Sequence, residues 1–286
     1  MSIRAVTREL LVRCIDTWAP GNLHAPHGAA FLYASARALD HDTAEAAVRA
    51  FAEFADRLRH PLTLLFVAPG TESLRSRLAD VQREWSTPAE MQVHVVPGGN
   101  VPAVLKAAGA GGGTVLAMVD DSIAKTFKAS VVLAVAEPGT WRTQRQELQA
   151  AGLDLTAGVE LVDGAEAQLI GFGTRSAKSL EAFKGELWSL DEYAGVRYRD
   201  PRDPESHLMD ISLDPNPGAL RRELLQRLTD GAMTVTELKR FALTDTVYRA
   251  ADAQKVIAAL LHAGTVHRTP SGGRLGGDVL ISLSPA

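Results

Sequence analysis

The chain has 286 residues, is 46% hydrophobic and 22% charged, and carries a formal net charge of −4. That is an ordinary globular profile, long enough for one large domain plus a small one. No apolar run reaches the ~18 residues of a membrane span, the opening MSIRAVTRELLVRC is too charged for a secretory core, and the single cysteine, Cys14, excludes an internal disulfide and points to a reducing, cytoplasmic setting.

In chain order, Ile3, Val6, Leu10, Leu11, Cys14, Ile15 and Trp18 mark one face of a first helix, with Cys14 as a buried structural thiol. The turn GNLHAPHG (21–28) follows, then a helical stretch around 28–39 and a helix over Thr43–Leu58. From residue 61 strands and helices alternate. PLTLLFVA, MQVHVV, TVLAMV and SVVLAVA read as buried strands, and residues 71–85, 101–108 and 140–152 as helices, the first of these opened by a Thr71 cap. This alternation predicts an α/β fold, a mostly parallel sheet with helices on both faces. GVELVDG and AQLIGFGTR, joined by a short turn, predict a terminal antiparallel hairpin across 158–174, and residues 176–190 a helix capped by Ser176.

Residues 201–216 are rich in proline and acids and mark a boundary between a domain at 1–200 and one at 217–286. The second domain holds nine Lys/Arg against six Asp/Glu, a net +3, which leaves −7 on the rest. Its order is helix, helix, helix, hairpin, the layout of a winged helix-turn-helix. In that layout Thr246, Tyr248, Arg249 and Lys255 lie on the third helix, whose start enters the major groove. Arg268 and Arg274 flank a Gly-rich wing placed for phosphate or minor-groove contact.

The stretch AQLIGFGTRSAKSLEAFKGELWSLDEYAGVRYRD (167–200), the opening TRELLVRCIDTWAP and the winged-helix stretch resemble the three-Cys-motif partner proteins. Members of that family are similar to S-adenosylmethionine (SAM)-dependent methyltransferases. The resemblance implies a Rossmann-like, methyltransferase-like domain followed by a winged-helix region. It departs where a cofactor would sit. The family's D-x-F-A-G-P-G loop is replaced by NLHAPHGAAFLYASARAL, in which Gly28 is the one surviving glycine. Ala68 and Pro69 stand where the family has an acid and a polar residue, and DPFG becomes DDSI, with Asp120 matching. Glycines let a backbone approach a cofactor closely, and an acid after the second strand holds ribose hydroxyls.

The candidate cofactor residues are therefore Gly28, Asn100 and Asp120. Asn100 follows Gly98–Gly99 at a strand-to-helix loop and reads equally as a helix cap. Asp120 and Asp121 at a strand end suit a base, a polar ligand or a cap. GAGGGT (109–114) precedes a strand and so cannot aim its amides at a phosphate from a helix start. His24 and His27 fall short of the three or four ligands of a metal site, so no metal is expected.

Three readings follow. The first is a SAM-deficient methyltransferase-like protein with a wing that binds duplex nucleic acid, in a regulatory or DNA-processing accessory role. The second is an active SAM-dependent methyltransferase with an atypical loop. The third is an assembly module with a protein partner or a second copy as a homodimer.

Overall fold

The computed structural model describes residues 2–120, 128–190, 196–209 and 216–284. Asp121, Asp191 of the family-like stretch and residues 210–213 fall outside them. The chain divides into two compact units, Met1–Met209 and Asp210–Ala286.

In the first unit, α1 (Ile3–Asn22) starts at Ser2, whose hydroxyl accepts from the Ala5 N–H, and buries the face read from its spacing. β1 (Ala29–Ala34) comes next, where the sequence predicts a helix. All six of its residues are buried, because β2 (Leu62–Val67) and β4 (Thr114–Asp120) flank it in parallel. α2 is His41–Ala52, α3 Glu72–Glu84, β3 Met91–Val96, α4 Val101–Ala107, β5 Val131–Ala136 and α5 Trp141–Ala150. The predicted Thr71 cap makes no side-chain hydrogen bond to α3, whereas Ser176 caps α6 (Ala177–Ser189) as expected.

The predicted hairpin is present. β6 (Leu155–Asp163) pairs antiparallel with β7 (Glu166–Thr174), Gly158 opposite Gly171. Two short strands, β8 (Arg197–Arg199) and β9 (Leu208–Met209), extend it, so part of the proline-rich stretch expected between the domains joins the sheet. The sheet order is β3-β2-β1-β4-β5-β7-β6-β8-β9, with the first five strands parallel. This large, mixed, mostly parallel sheet is compatible with a Rossmann-like fold.

Three glycines in the hairpin make a groove for α5. A Cβ on Gly158 would lie 2.6–2.9 Å from three atoms of the Trp141 indole, and one on Gly171 would collide with the Gln144 amide. Trp141 and Gln144 are buried there, and a Cβ on Gly173 would press on Leu148 and Leu153 at 3.1–3.2 Å. The apolar core on this face of the sheet joins Leu32, Leu65, Val119, Val132, Trp141 and Leu148.

In the second unit, α7 (Gly218–Leu228), β10 (Met233–Thr234), α8 (Val235–Asp245), α9 (Ala250–His262), β11 (Val266–Thr269) and β12 (Leu280–Leu283) follow in order. Thr234 caps α8 and forms a capping box with Glu237. The strands make an antiparallel sheet of order β10-β12-β11. Leu220, Leu224, Leu228, Leu238, Val256, Ile257, Leu260 and Ile281 are buried in this unit. No described helix is long and apolar enough to cross a membrane.

Candidate functional site

The chain runs β1, β2, β3 outward and then returns to β4 beside β1. A parallel sheet opens a crevice at the carboxyl ends of the strands where its order reverses. A cleft of about 530 Å³ occupies that place. Its walls come from the ends of β1, β4 and β5, the loop 35–40, Arg4 and Thr7 of α1, and Gln168 of β7.

Asp120, at the end of β4, is the one sequence candidate the structure brings to this cleft. Its Oδ2 accepts from the Ala36 N–H at 2.6 Å, which ties β4 to the loop after β1. Asp40 closes that loop as the cap of α2, accepting from the Thr43 N–H at 3.3 Å and the Thr43 hydroxyl at 2.5 Å. The Asp40 N–H in turn donates to the Tyr33 oxygen at 3.3 Å. Tyr33 is buried, and burial pushes its phenol up to about 12, so it serves as a neutral hydroxyl rather than a base. The Thr7 hydroxyl lies 2.9 Å from the Ile3 carbonyl and 3.1 Å from Gln168 Oε1. Arg37 and Glu137 approach to 3.7 Å at the mouth, but at 80% and 72% exposure this pair holds the mouth weakly.

Two of the cofactor candidates lie elsewhere. Gly28 precedes β1 and sits at the opposite, amino-terminal edge of the sheet, in a separate pocket with Pro61, Gly109 and Gly113. Its φ of +76° and its contact with the Pro61 carbonyl explain the glycine. The mistaken helix over 28–39 is the source of the error. With β1 in that span, the loop that would face a cofactor is Ser35–Asp40, and it contains no glycine at all. Asn100 caps α4, accepting from the Ala103 N–H at 3.0 Å, and is absent from the cleft walls. GAGGGT is also structural. A Cβ on Gly113 would lie 2.5 Å from the Gly28 carbonyl oxygen and 2.9 Å from that of His27, because the two chain segments cross there. Tyr33 and Arg37 were missed for the same reason, since only a strand at 29–34 places them in the cleft, while Gln168 comes from the hairpin strand β7.

His24 and His27 are exposed, and among the described residues no three His, Cys, Asp or Glu side chains gather closely enough to hold a metal ion. Cys14 is buried, and desolvation pushes its thiol up to about 12. The thiolate is the reactive form. Native protein at pH 8 is therefore expected to react with an alkylating reagent roughly a thousandfold more slowly than an unperturbed thiol, and to label at an ordinary rate once unfolded in urea. Mass-spectrometric labelling time courses check this.

In the second unit most of the expected nucleic-acid contacts are engaged internally. Thr246 and Tyr248 precede α9 instead of lying on it, and both are buried. The Thr246 hydroxyl donates to the Ala242 carbonyl at 2.6 Å, and the Tyr248 hydroxyl donates to the Asn216 carbonyl at 2.9 Å. Arg249 is the first residue before α9. Its guanidinium grips Asp252 with two bonds of 2.9 and 3.0 Å, at side-chain exposures of 17% and 7%. All three side chains are thus engaged within the unit. Arg268 donates to the carbonyls of Pro270, Gly272, Gly273 and Arg274 at 2.9–3.0 Å and so fastens the Gly-rich loop to β11. Lys255 on α9 and Arg274 at the loop remain exposed. Lys239 of α8 donates to Gln254 of α9, the residue before Lys255, at 3.2 Å. The outward positions of α9 are otherwise Ala251, Ala258, Ala259 and His262.

No family model, no curated protein and no solved structure matches this chain.

Proposed function

We propose that the chain is a methyltransferase-like protein, akin to the three-Cys-motif partners, that has given up SAM and docks on duplex nucleic acid through a winged-helix-like second unit. The role is accessory or regulatory, without methyl transfer. Support for the scaffold comes from the order β3-β2-β1-β4-β5-β7-β6 with β7 antiparallel, an ordering familiar from methyltransferase-like sheets. Support for the loss of SAM comes from the loop after β1. Methyltransferase-like loops at this place present glycines and free amides to the cofactor. Here Ser35–Asp40 is glycine-free, and its Ala36 amide is taken by Asp120.

The observation that carries the docking reading is the Arg268 clamp. One guanidinium holds four loop carbonyls, those of Pro270, Gly272, Gly273 and Arg274, and leaves the exposed Arg274 side chain outward at the loop. A pre-ordered loop with a projecting arginine suits a phosphate, because the ordering cost of binding is already met. Lys255 and Lys239 supply further phosphate contacts from the helices. The outward side of α9 is alanine-rich, and its one amide, Gln254, already accepts from Lys239, so it offers little that can discriminate bases. On this reading binding is largely indifferent to sequence, and Arg249 serves the fold through Asp252.

The test is binding of a random duplex pool to the full chain as salt is varied. Arg274→Ala should weaken binding on every sequence alike and flatten the slope of log K against log salt by about one unit. No shift of the pool at low salt would sink this reading in favour of an assembly module.

A further inference from the structure

We propose that β3 is a self-association edge: two copies of the chain join their sheets by antiparallel addition of β3 to β3 about a two-fold axis at Val93. This rests on neither the cleft nor the duplex reading.

β3 is the outermost strand on its side of the nine-stranded sheet. Exposed edges are usually blunted by a charge, a proline or a bulge. MQVHVV itself contains no Asp, Glu, Lys, Arg or Pro, and Val93, Val95 and Val96 are half-buried. The main chain fixes which groups point outward. Leu62 N–H donates to the Glu90 carbonyl and Ala68 N–H to the Val96 carbonyl. With the parallel register between them, the residues facing β2 are the even-numbered ones, and Met91, Val93 and Val95 present their N–H and C=O groups outward.

Two of those outward groups already have partners. The Met91 N–H donates to the Pro88 carbonyl at 3.0 Å, and the Val95 carbonyl accepts from the Arg75 guanidinium at 3.1 Å. This selects the register. In a pairing centred on Val93, Met91 falls opposite the partner's Val95, so the two satisfied groups face each other and demand nothing. Val93 then exchanges both its bonds with the partner's Val93, and the Val95 N–H reaches the partner's Met91 carbonyl. Any shift along the strand would oppose a satisfied group to an open one.

Charge agrees with the same register. Val96 falls opposite the partner's Glu90. Arg75, held at the Val95 carbonyl, is then beside that carboxylate. Arg75 and Glu90 are both exposed, and neither has an ion-pair partner among the described residues. The two-fold axis creates this pair twice. The interface is isologous and closes on two copies.

The test is the assembly state of the full chain by sedimentation velocity across the micromolar range. The wild type should be a concentration-dependent dimer. Val93→Pro removes the donor at the axis while its ring faces away from β2, as an edge strand tolerates, and should be monomeric with an unchanged circular dichroism spectrum. Arg75→Glu should raise the dimer Kd roughly tenfold, since it replaces two attractions with two repulsions. The double variant Arg75→Glu/Glu90→Arg should recover the wild-type Kd. A wild type that stays monomeric, or a dimer indifferent to the charge reversals, overturns the proposal.

Discussion

Gly113→Ala should destabilise the first unit by about 3 kcal/mol, at the upper end of what overpacking costs. The added methyl would sit 2.5 Å from the Gly28 carbonyl oxygen and 3.0 Å from its carbonyl carbon, so the obstacle is backbone, which cannot rotate away. Gly28 itself is pinned by a left-handed φ of +76° and by its own contact with Pro61. Both segments lead directly into the paired central strands β1 and β4, so relief on one side strains the other. Gly112→Ala is the control. It is the adjacent residue, has nothing within 4 Å of the new methyl, and should shift stability by less than about 0.5 kcal/mol. Urea-unfolding midpoints of the two variants decide the matter, and equal effects would mean that the crossing at Gly28 is not as tight as described.

Arg249→Ala should destabilise the second unit by about 2 kcal/mol without changing any preference among duplex sequences. Removing one partner of a buried ion pair strands the other, at about 3–5 kcal/mol when burial is complete; the residual exposure of Arg249 places this case lower. Asp252 would keep the Arg249 main-chain N–H at 3.0 Å, so the start of α9 survives while the guanidinium grip is lost. Arg249→Lys should recover only part of the loss, since a point charge cannot reproduce the two-pronged contact. Thermal unfolding of the variants, set beside competition binding with two unrelated duplexes, separates the structural role from base reading. A change in relative affinity at unchanged stability would restore the recognition role that the sequence suggests.

Much of the sheet was legible because its strands are apolar runs separated by amphipathic helices, and two adjacent strand runs after residue 155 announce the hairpin. β1 was not legible. AAFLYA is buried on both faces between β2 and β4, so it shows no alternation, and the alanines at 29, 30, 34, 36 and 38 carry high helix propensity. Tertiary burial overrode that local preference. The cost was large, because the identity of the first strand decides which loop faces the cleft: Gly28 went to the wrong edge, and Tyr33 and Arg37 were overlooked. Asp120 survived because an acid directly after an apolar strand needs no other context.

In the second unit the basic residues are plain in the sequence, and the partner of one of them is legible too. Asp252 stands three residues after Arg249, a spacing that places the two within reach at a helix start, and that signal was available. The Arg268 clamp was not. Four carbonyl acceptors from a Gly-rich loop carry no mark in the sequence, so the loop reads as flexible when it is tied down.

Whether this scaffold acts as an enzyme or as a docking protein turns on the cleft beside β1 and β4. Isothermal titration of SAM into the full chain measures that directly. A glycine-free loop whose Ala36 amide is held by Asp120, and a β2 end with Ala68 and Pro69 in place of an acid, should leave no saturable binding below about 1 mM; loss of the ribose acceptor alone costs on the order of 1.5–3 kcal/mol, or roughly 10- to 150-fold. Stoichiometric binding with a micromolar Kd would contradict the account and make the chain a methyltransferase with an unusual loop.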